Sequence, residues 1–297
     1  SQIYMRGRPQ DYNEWDEILR FNNDTTSWAW DDLLPYFINI ENNSRLDNQF
    51  HGKSGPLMVS DSSHIDQLTK DFIKTVEELG VSCTDDFNGS SQSGVGFYQF
   101  MNRGGKRSSA AYVFISPEKN NPKLDVKLNS NIEKIIIEKN KAIGVEYRNS
   151  KGELNKKFAN NEIIIAAGSF ITPKLLMLSG IGNAAELKYH GIQCIADLPG
   201  VGKNLIDHPE CLILAKANGP YGYYKQGVGW RMIKNGLQFL LFGTGPVNST
   251  GVEGGAFINP TDQNAPPSIQ AFFIPSIYMN FDTIGVIDDD YGMSITT

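Results

Sequence analysis

The sequence predicts a mixed α/β fold, and three patterns along the chain carry that prediction. An aliphatic run at 163–165 passes through two alanines into the segment 168–182, which begins with a glycine and then turns into a helix. Alternating β-branched residues between 124 and 148 predict strands, and the apolar spacing of 65–79 predicts an amphipathic helix. A strand, a small-residue crossover and a helix in succession are typical of α/β proteins.

Helices are predicted wherever apolar residues recur at spacings of three and four. These segments are 10–45 with Trp15 and Ile18 at core spacing, 65–79 ending at Gly80, 108–114, and 184–190 ending at Gly191. Strands are predicted where apolar and polar residues alternate. They lie within 51–60 and 94–101, at 126–128, in a hairpin of 132–138 with 142–148 around Asn140-Lys141, and at 158–166.

The crossover at 166–168 is the segment that most suggests a binding site. Thr172 is a suitable N-cap and Pro173 a suitable first helical residue, while Ser179-Gly180 ends the helix. Small residues where a strand meets a helix let a phosphate or ring approach the main chain. Spacing alone, however, favours an ordinary strand-to-helix connection.

Composition narrows the class of protein. The 297 residues suffice for about two domains, and the net charge of −6 without a basic block argues against a nucleic-acid partner. There is no run of eighteen apolar residues, so no membrane span is predicted, and the short run 237–242 predicts a core segment or the wall of an entrance. The spacing of the three cysteines suggests no metal site and permits at most one disulfide.

Residues 168–182 resemble the second sequence signature of the glucose-methanol-choline (GMC) family of flavin oxidoreductases, with every fixed position filled. Other stretches resemble further landmarks of this family, in the family's order. They are Tyr4-Met5-Arg6-Gly7 with Asp11-Tyr12, 28–37, His51-Gly52 with Gly55-Pro56-Leu57, 105–111, 198–205 with Asp207-His208-Pro209, Gly245-Pro246, and 253–257. Within the family, the pattern is closest to the arthropod glucose-dehydrogenase-like members.

The resemblance implies FAD as cofactor and a small-molecule alcohol or sugar as substrate, with an electron acceptor that the sequence does not identify. It implies an incomplete FAD-binding fold interleaved with a substrate domain built on an antiparallel sheet. Residues 1–50 and 121–210 are assigned to the flavin domain on this basis, and 51–120 and 211–297 to the substrate domain. The expected reaction is hydride transfer from an alcohol carbon to the flavin.

Four residues are expected to bind the cofactor if the resemblance holds. Ser1 follows the family position that lies against the flavin, Ile132 occupies the position whose main chain binds the adenine edge, and Ala167 and Gly168 let the cofactor approach the crossover. Each has a simpler alternative. Ser1 is also a chain terminus, Ile132 an ordinary hairpin residue, and the two crossover residues small packing residues.

The sequence offers no catalytic residue with comparable support. Asp207-His208 is interpreted as a structural or flavin-side pair, because the family's catalytic histidine lies in a C-terminal part that this chain does not resemble. His51, His64 and His190 are expected to be surface or packed histidines, and Lys106-Arg107 a solvated turn. The glycine fingerprint that precedes residue 1 in the family is also absent, and Gly180-Ile181-Gly182 follows a helix and does not replace it.

The chain is therefore expected to be a piece of a longer enzyme that neither retains FAD nor oxidises alcohol alone. The alternative is a non-catalytic protein derived from the same family. Four N-glycosylation sequons, at Asn23, Asn42, Asn88 and Asn248, fit either a secreted glycoprotein or chance in an asparagine-rich chain. Secretion is the localisation that we expect.

Overall fold

The computed structural model describes residues 2–22, 24–262, 264–277 and 290–297. The chain divides into two compact units. The first unit combines 1–120 with 209–297, and the second unit consists of 121–208. The division does not show which unit holds a flavin or a substrate, so the four domain segments assigned from the sequence stay predictions.

Six α-helices lie within the described residues, and they are α1 (Pro9–Phe21), α2 (Trp30–Ile40), α3 (Gln67–Glu78), α4 (Gly168–Leu178), α5 (Ala184–Tyr189) and α6 (Gly229–Phe242). A π-helical turn at Ala111–Ile115 and 3₁₀ turns at Ser116–Glu118 and Pro246–Asn248 complete the helical part of these residues. Helices α3 and α5 confirm the helices predicted around 65–79 and 184–190. As predicted, each ends at a glycine, and Gly80 and Gly191 have positive φ angles of 95° and 68°. Among the described residues, no helix combines the length and the apolar character that crossing a bilayer requires.

The strands of the described residues are β1 (Glu41–Asn43), β2 (Leu57–Asp61), β3 (Gly94–Phe97), β4 (Gln99–Phe100), β5 (Asn102–Arg103), β6 (Lys106–Arg107), β7 (Asn131–Glu138), β8 (Lys141–Arg148), β9 (Leu154–Phe158), β10 (Ile181–Gly182), β11 (Ala196–Asp197), β12 (Leu212–Lys216), β13 (Gly254–Ile258), β14 (Ile269–Ile274) and β15 (Gly292–Thr296). Helices and mostly antiparallel sheets together confirm the mixed α/β class.

The first unit is built on a five-stranded antiparallel sheet in the order β12-β15-β14-β13-β3. Its core joins the apolar face of α3 to this sheet through Ile73, Val95, Ala256 and Ala271. An aromatic cluster continues the core, formed by Phe87, Tyr98, Phe100 and Phe257. A smaller sheet in the order β1-β2-β4 has one parallel and one antiparallel pairing, and β5 pairs with β6.

The second unit contains a three-stranded antiparallel sheet, β7-β8-β9, and the parallel pair β10-β11. The predicted hairpin is confirmed, but its turn lies one residue earlier than the predicted Asn140-Lys141, because Glu138 pairs with Lys141. The turn residues Lys139 and Asn140 have φ angles of 49° and 61°. Two residues with positive φ are what a tight hairpin turn with the twist of the strands requires. Helix α4 is tied to the sheet because the Ser179 hydroxyl accepts a buried hydrogen bond of 2.8 Å from the Ile135 amide.

Two predicted strands are wrong. Residues 126–128 form no strand in the described structure, and of the strand predicted at 158–166 only Phe158 lies in a strand, β9. Residues 159–166, which the structure also describes, form none, and the Ile164 side chain is 80% exposed. An aliphatic run becomes a buried strand only when neighbouring strands satisfy its main chain, and β9 ends at Phe158. Residues 163–165 are therefore apolar but not buried.

Helix α4 begins earlier than predicted. It starts at Gly168, so Thr172 is not the N-cap and Pro173 lies inside the helix. The cause is the φ angle of 84° at Gly168, which turns the chain into the helix before the proline is reached. The Thr172 hydroxyl instead accepts a hydrogen bond of 3.2 Å from the Ala167 amide.

The predicted burial of several apolar residues is also wrong. Trp15 and Ile18 of α1 are more than half exposed, although their spacing fits a core face. In α6, Leu237, Leu240, Leu241 and Phe242 are exposed, so 237–242 is not a core segment. Spacing reports which side chains share a face, and the surrounding elements decide whether that face is covered.

Candidate functional site

The crossover of the second unit leaves the main chain open to a ligand. Gly168 has a φ angle of 84°, and a Cβ atom built on it would meet no heavy atom within 4 Å. Ala167 precedes it with φ −90° and ψ 7° and is exposed. The first amides of a helix lack partners inside the helix, so the start of α4 presents donors at a place without bulky side chains.

A cavity of about 970 Å³ begins at the residue after Gly168. About half of its lining residues are apolar, and Ser169, Lys174, His190, Lys203 and Asn204 add polar groups. The apolar residues come from α4, from the segment between α5 and β11, and from the loop after β11, and they are Phe170, Pro173, Met177, Leu178, Ile192, Leu205 and Ile206. A cavity of this size that combines apolar and polar groups suits a ring system or a nucleotide.

The structure places three of the predicted cofactor residues in the second unit. Ile132 lies near the start of β7, opposite Tyr147 of β8, and its side chain is partly exposed. Strand β7 contacts α4 at the Ile135–Ser179 hydrogen bond, which lies at the end of α4 opposite Gly168. The rise of an α-helix separates these two ends by about 16 Å.

The roles of Ile132, Ala167 and Gly168 stay predictions, and Ser1 lies outside the described residues.

The pair Asp207-His208 does not form part of a cleft. Both side chains are almost completely exposed, and the His208 Nδ1 to Asp207 Oδ1 distance is 3.5 Å. Hydrogen bonds from His208 lower the pKa of Asp207. An exposed pair of this kind is a weak interaction. Lys106 and Arg107 of β6 are exposed as well, as expected for a solvated turn.

A buried charge network occupies the first unit. His51 Nδ1 lies 2.9 Å from Glu41 Oε1, and His51 Nε2 lies 3.0 Å from Asp86 Oδ2. Arg6 forms an ion pair with the other Glu41 oxygen, and it donates a bond of 2.6 Å to the Phe50 carbonyl. Both ring nitrogens of His51 face carboxylates, so both donate and the ring is the charged imidazolium. Two cations thus balance two anions in the interior.

The same contacts move the pKa values of the network. Burial alone lowers the pKa of His51, but the hydrogen bonds to Asp86 and Glu41 outweigh it and raise that pKa to about 9. For Glu41 and Asp86, burial acts to raise the pKa, and the bonds from His51 more than compensate, so both pKa values are lowered. This network holds charge in a fixed place, and Arg6 also lines a cavity of about 360 Å³.

A second polar cluster surrounds Glu253 in the same unit. The Glu253 carboxylate is completely buried and accepts hydrogen bonds from the Asp66 amide at 2.7 Å and the Thr69 hydroxyl at 2.9 Å. The Tyr223 hydroxyl donates to its other oxygen, and so does Ser249 at 2.6 Å. Tyr223 and Ser249 also line a cavity of about 460 Å³ between α6 and β14. Burial and the contact with Glu253 raise the pKa of Tyr223 far above its ordinary value.

The comparison with protein families decides the identity. A family model described as GMC oxidoreductase matches residues 1–210 of the chain. The chain belongs to the GMC oxidoreductase family. This confirms the resemblance at 168–182 and at the landmarks up to Asp207-His208-Pro209, whereas placement near arthropod glucose dehydrogenases stays a prediction.

Curated relatives of this GMC chain share about a third of its residues. An alcohol dehydrogenase [acceptor] from Pseudomonas putida is 35% identical over 282 residues, covering 93% of this chain and 50% of the relative. An oxygen-dependent choline dehydrogenase from Brucella anthropi is 37% identical over 276 residues, covering 93% and 49%. The chain thus spans about half the length of the curated relatives that it matches.

Solved structures support the fold. A formate oxidase superposes with a TM-score of 0.84 at 21% identity, covering 99% of this chain and 56% of the oxidase. An FAD-dependent oxidoreductase from Chaetomium thermophilum gives 0.82 at 20% identity, covering 99% and 59%. At this level of identity the likeness concerns the architecture of the GMC chain.

The sequence did not predict the two buried clusters. His51 and Glu253 both lie in GMC landmarks, which was the available signal. Some of their partners, however, are far away in the chain, since Asp86 is 35 residues from His51 and Asp66 is 187 residues from Glu253. No local spacing reveals such pairs.

Proposed function

We propose that the chain is part of an FAD-dependent oxidoreductase that oxidises the CH–OH group of a small alcohol or sugar. The observation that carries the proposal is membership of the GMC family over residues 1–210, together with the open main chain at Gly168 beside a partly apolar cavity. The printed names of the relatives, alcohol dehydrogenase and choline dehydrogenase, support a substrate with a hydroxyl group.

In this proposal the residues of the chain bind and orient FAD, which supplies the redox chemistry by accepting a hydride. Ala167 and Gly168 let the cofactor reach the main chain at the start of α4, and the Ile132 main chain holds the adenine edge. The apolar cavity lining around Phe170 and Met177 keeps water from the bound ring. We assign no catalytic residue to this chain, and the histidine that takes the hydroxyl proton is expected in the family's C-terminal part.

A substitution at Gly168 tests the binding role. The substitution Gly168→Ala is made in the full-length protein that the whole transcript encodes. It adds a Cβ atom where FAD is proposed to approach the backbone. We expect the flavin content of the purified protein, measured from its visible absorbance, to fall at least about tenfold, because loss of one close ligand contact costs more than about 1.4 kcal/mol.

Gly152→Ala provides the matched control. Gly152 has a similar φ angle of 79° and open space around it, but it lies in the turn between β8 and β9. Both substitutions strain the backbone by about 1–2 kcal/mol, so their unfolding curves should shift alike. Equal flavin content in the two variants would contradict the role of Gly168.

The proposal includes two more specific claims, that the protein is secreted and that it is related to glucose dehydrogenases. The structure weakens the argument from sequons, because Asn88 and Asn248 are buried and their amides are engaged. Asn42 is half-buried in β1, and Asn23 lies outside the described residues. Mass spectrometry of the secreted and cellular fractions tests secretion directly. Peptides of the protein in the secreted fraction, or glycan on Asn42 or Asn23, would support it, and recovery of the protein from the cellular fraction alone, without glycan, would contradict it.

A further inference from the structure

The strap, residues 217–228, joins β12 to α6 and forms part of a cavity wall in the first unit. It contains neither helix nor strand in the described structure. Its residues Tyr223, Gln226 and Gly227 line the cavity of about 460 Å³ that Ser249 also lines. The rest of the lining comes from α6, from residues within 246–251 and from the end of β14. The strap therefore controls how open this cavity is.

Tyr223 ties the centre of the strap to the sheet of the first unit. Its amide donates a hydrogen bond of 2.8 Å to the carbonyl of Pro275, the residue after β14. Its hydroxyl donates to the carboxylate of Glu253, the residue before β13, which is completely buried. A hydrogen bond to a carboxylate is about twice as strong as one between neutral groups. The contact with Glu253 is therefore the stronger of these two ties.

The backbone of the strap is held in a position that has a cost. Gly222 has a φ angle of 78°, and a Cβ atom built on it would collide with the Pro275 carbonyl oxygen. The strap thus approaches the end of β14 as closely as a glycine permits. Lys225 has a φ angle of 59°, in the left-handed region that is unfavourable for residues other than glycine. Release of the strap would let Lys225 leave this region.

A buried nitrogen beside Tyr223 adds to that cost. The His64 ring lies against the Tyr223 ring, with 6.1 Å between the ring centroids. Its Nε2 atom is buried and has no hydrogen-bond partner among the described residues. A buried polar group without a partner is unfavourable. Movement of Tyr223 away from His64 would let water reach this nitrogen.

The cluster around Glu253 does not depend on Tyr223 alone. Without the Tyr223 hydroxyl, the carboxylate keeps the bonds from the Asp66 amide, the Thr69 hydroxyl and the Ser249 hydroxyl. Asp66 and Thr69 belong to the start of α3 and lie outside the strap. The strap can therefore open while the sheet and α3 stay in place.

We propose that the strap is a gate and that the hydrogen bond from Tyr223 to Glu253 is the clasp that keeps it shut. When the clasp is closed, Glu253 is sealed from solvent and the strap bounds the cavity. When it opens, small polar solutes reach both the cavity and the carboxylate. The described residues that line the cavity carry hydroxyl, amide and apolar groups and no charged side chain, so an uncharged solute suits it best. The gate does not rest on the proposed flavin chemistry.

Carboxyl labelling of the full-length protein that the whole transcript encodes tests the gate. A water-soluble carbodiimide and an amine convert an accessible carboxylate into an amide, which mass spectrometry locates. We expect Glu253 to be labelled at least about tenfold faster in Tyr223→Phe than in the unaltered protein, because a bond to a charged group is lost from the closed state. Gly222→Ala should also speed labelling, since its methyl group would push the strap away from Pro275.

Two variants serve as controls. Tyr221→Phe removes a hydroxyl from an exposed side chain of the same strap, so it should be labelled like the unaltered protein. Thr69→Val removes a donor from the same carboxylate and leaves the strap untouched, so Glu253 should stay nearly as protected as in the unaltered protein.

Hydrogen exchange separates the opening of the strap from a general loss of structure. Peptides from 217–228 should exchange faster in Tyr223→Phe, and those from β13 and β14 should not change. Labelling of Glu253 that is no faster in Tyr223→Phe than in Tyr221→Phe, or equally fast in Thr69→Val, would overturn the gate. Faster exchange of β13 and β14 together with the strap would overturn it as well, because the sheet itself would then be opening.

Discussion

His51 illustrates how a single buried side chain can make the fold depend on pH. Its two ring nitrogens face Glu41 and Asp86, and these contacts raise its pKa from 6.5 to about 9. Between these values the folded chain holds a proton that the unfolded chain releases. The stabilisation is therefore complete below the unfolded pKa and is lost as the pH rises through about 9.

The substitution His51→Gln removes this proton. We expect the free energy of unfolding in urea to fall by about 3–5 kcal/mol at pH 6, because Glu41 and Asp86 lose a buried cation. The difference from the unaltered chain should shrink as the pH approaches 10. His190→Gln is the control, because His190 is exposed on the surface. An unchanged gap between His51→Gln and the unaltered chain from pH 6 to pH 10 would rule out the charged ring.

At the scale of elements, the second unit depends on the contact between α4 and its sheet. The Ser179 hydroxyl accepts from the Ile135 amide and donates to the Leu175 carbonyl at 2.6 Å, and both bonds are buried. Ser179→Ala leaves a buried amide without a partner, so we expect a loss of about 1–3 kcal/mol in the free energy of unfolding. Hydrogen exchange should also become faster at Ile135.

Ser169 provides the comparison within the same helix. It is exposed at the start of α4, so Ser169→Ala should change the unfolding free energy by less than about 0.5 kcal/mol. If the two alanine variants unfold alike, the hydroxyl of Ser179 does not tie the helix to the sheet.

Elements with local determinants were predictable from the sequence. The hairpin of β7 and β8 and the helices α3 and α5 carry their own periodicity and end at residues suited to positive φ, such as Gly80 and Gly191. The exposure of segment 159–166 and of the apolar residues of α6 was not predictable, because burial depends on what other elements cover them. The early start of α4 depends on one glycine dihedral, which periodicity does not report.

At the scale of the whole molecule, the candidate site was predicted from family landmarks and not from spacing. Spacing alone favoured an ordinary connection at 166–168, and it was the family resemblance at 168–182 that predicted a cofactor site there. The clusters around His51 and Glu253 escaped prediction because they join residues far apart in the chain. Both clusters lie in the first unit, whereas three of the four predicted flavin contacts, Ile132, Ala167 and Gly168, lie in the second.

The central claim is that this chain serves an FAD-dependent oxidation of a CH–OH group. The most direct measurement is the visible spectrum of the product of the whole transcript, recorded without oxygen before and after addition of an alcohol such as choline or a sugar. We predict flavin absorbance that is bleached by a substrate of this class, and a 297-residue chain that retains no flavin when made alone. A product of the whole transcript without flavin, or with flavin that no hydroxyl compound from a broad panel reduces, would contradict the claim.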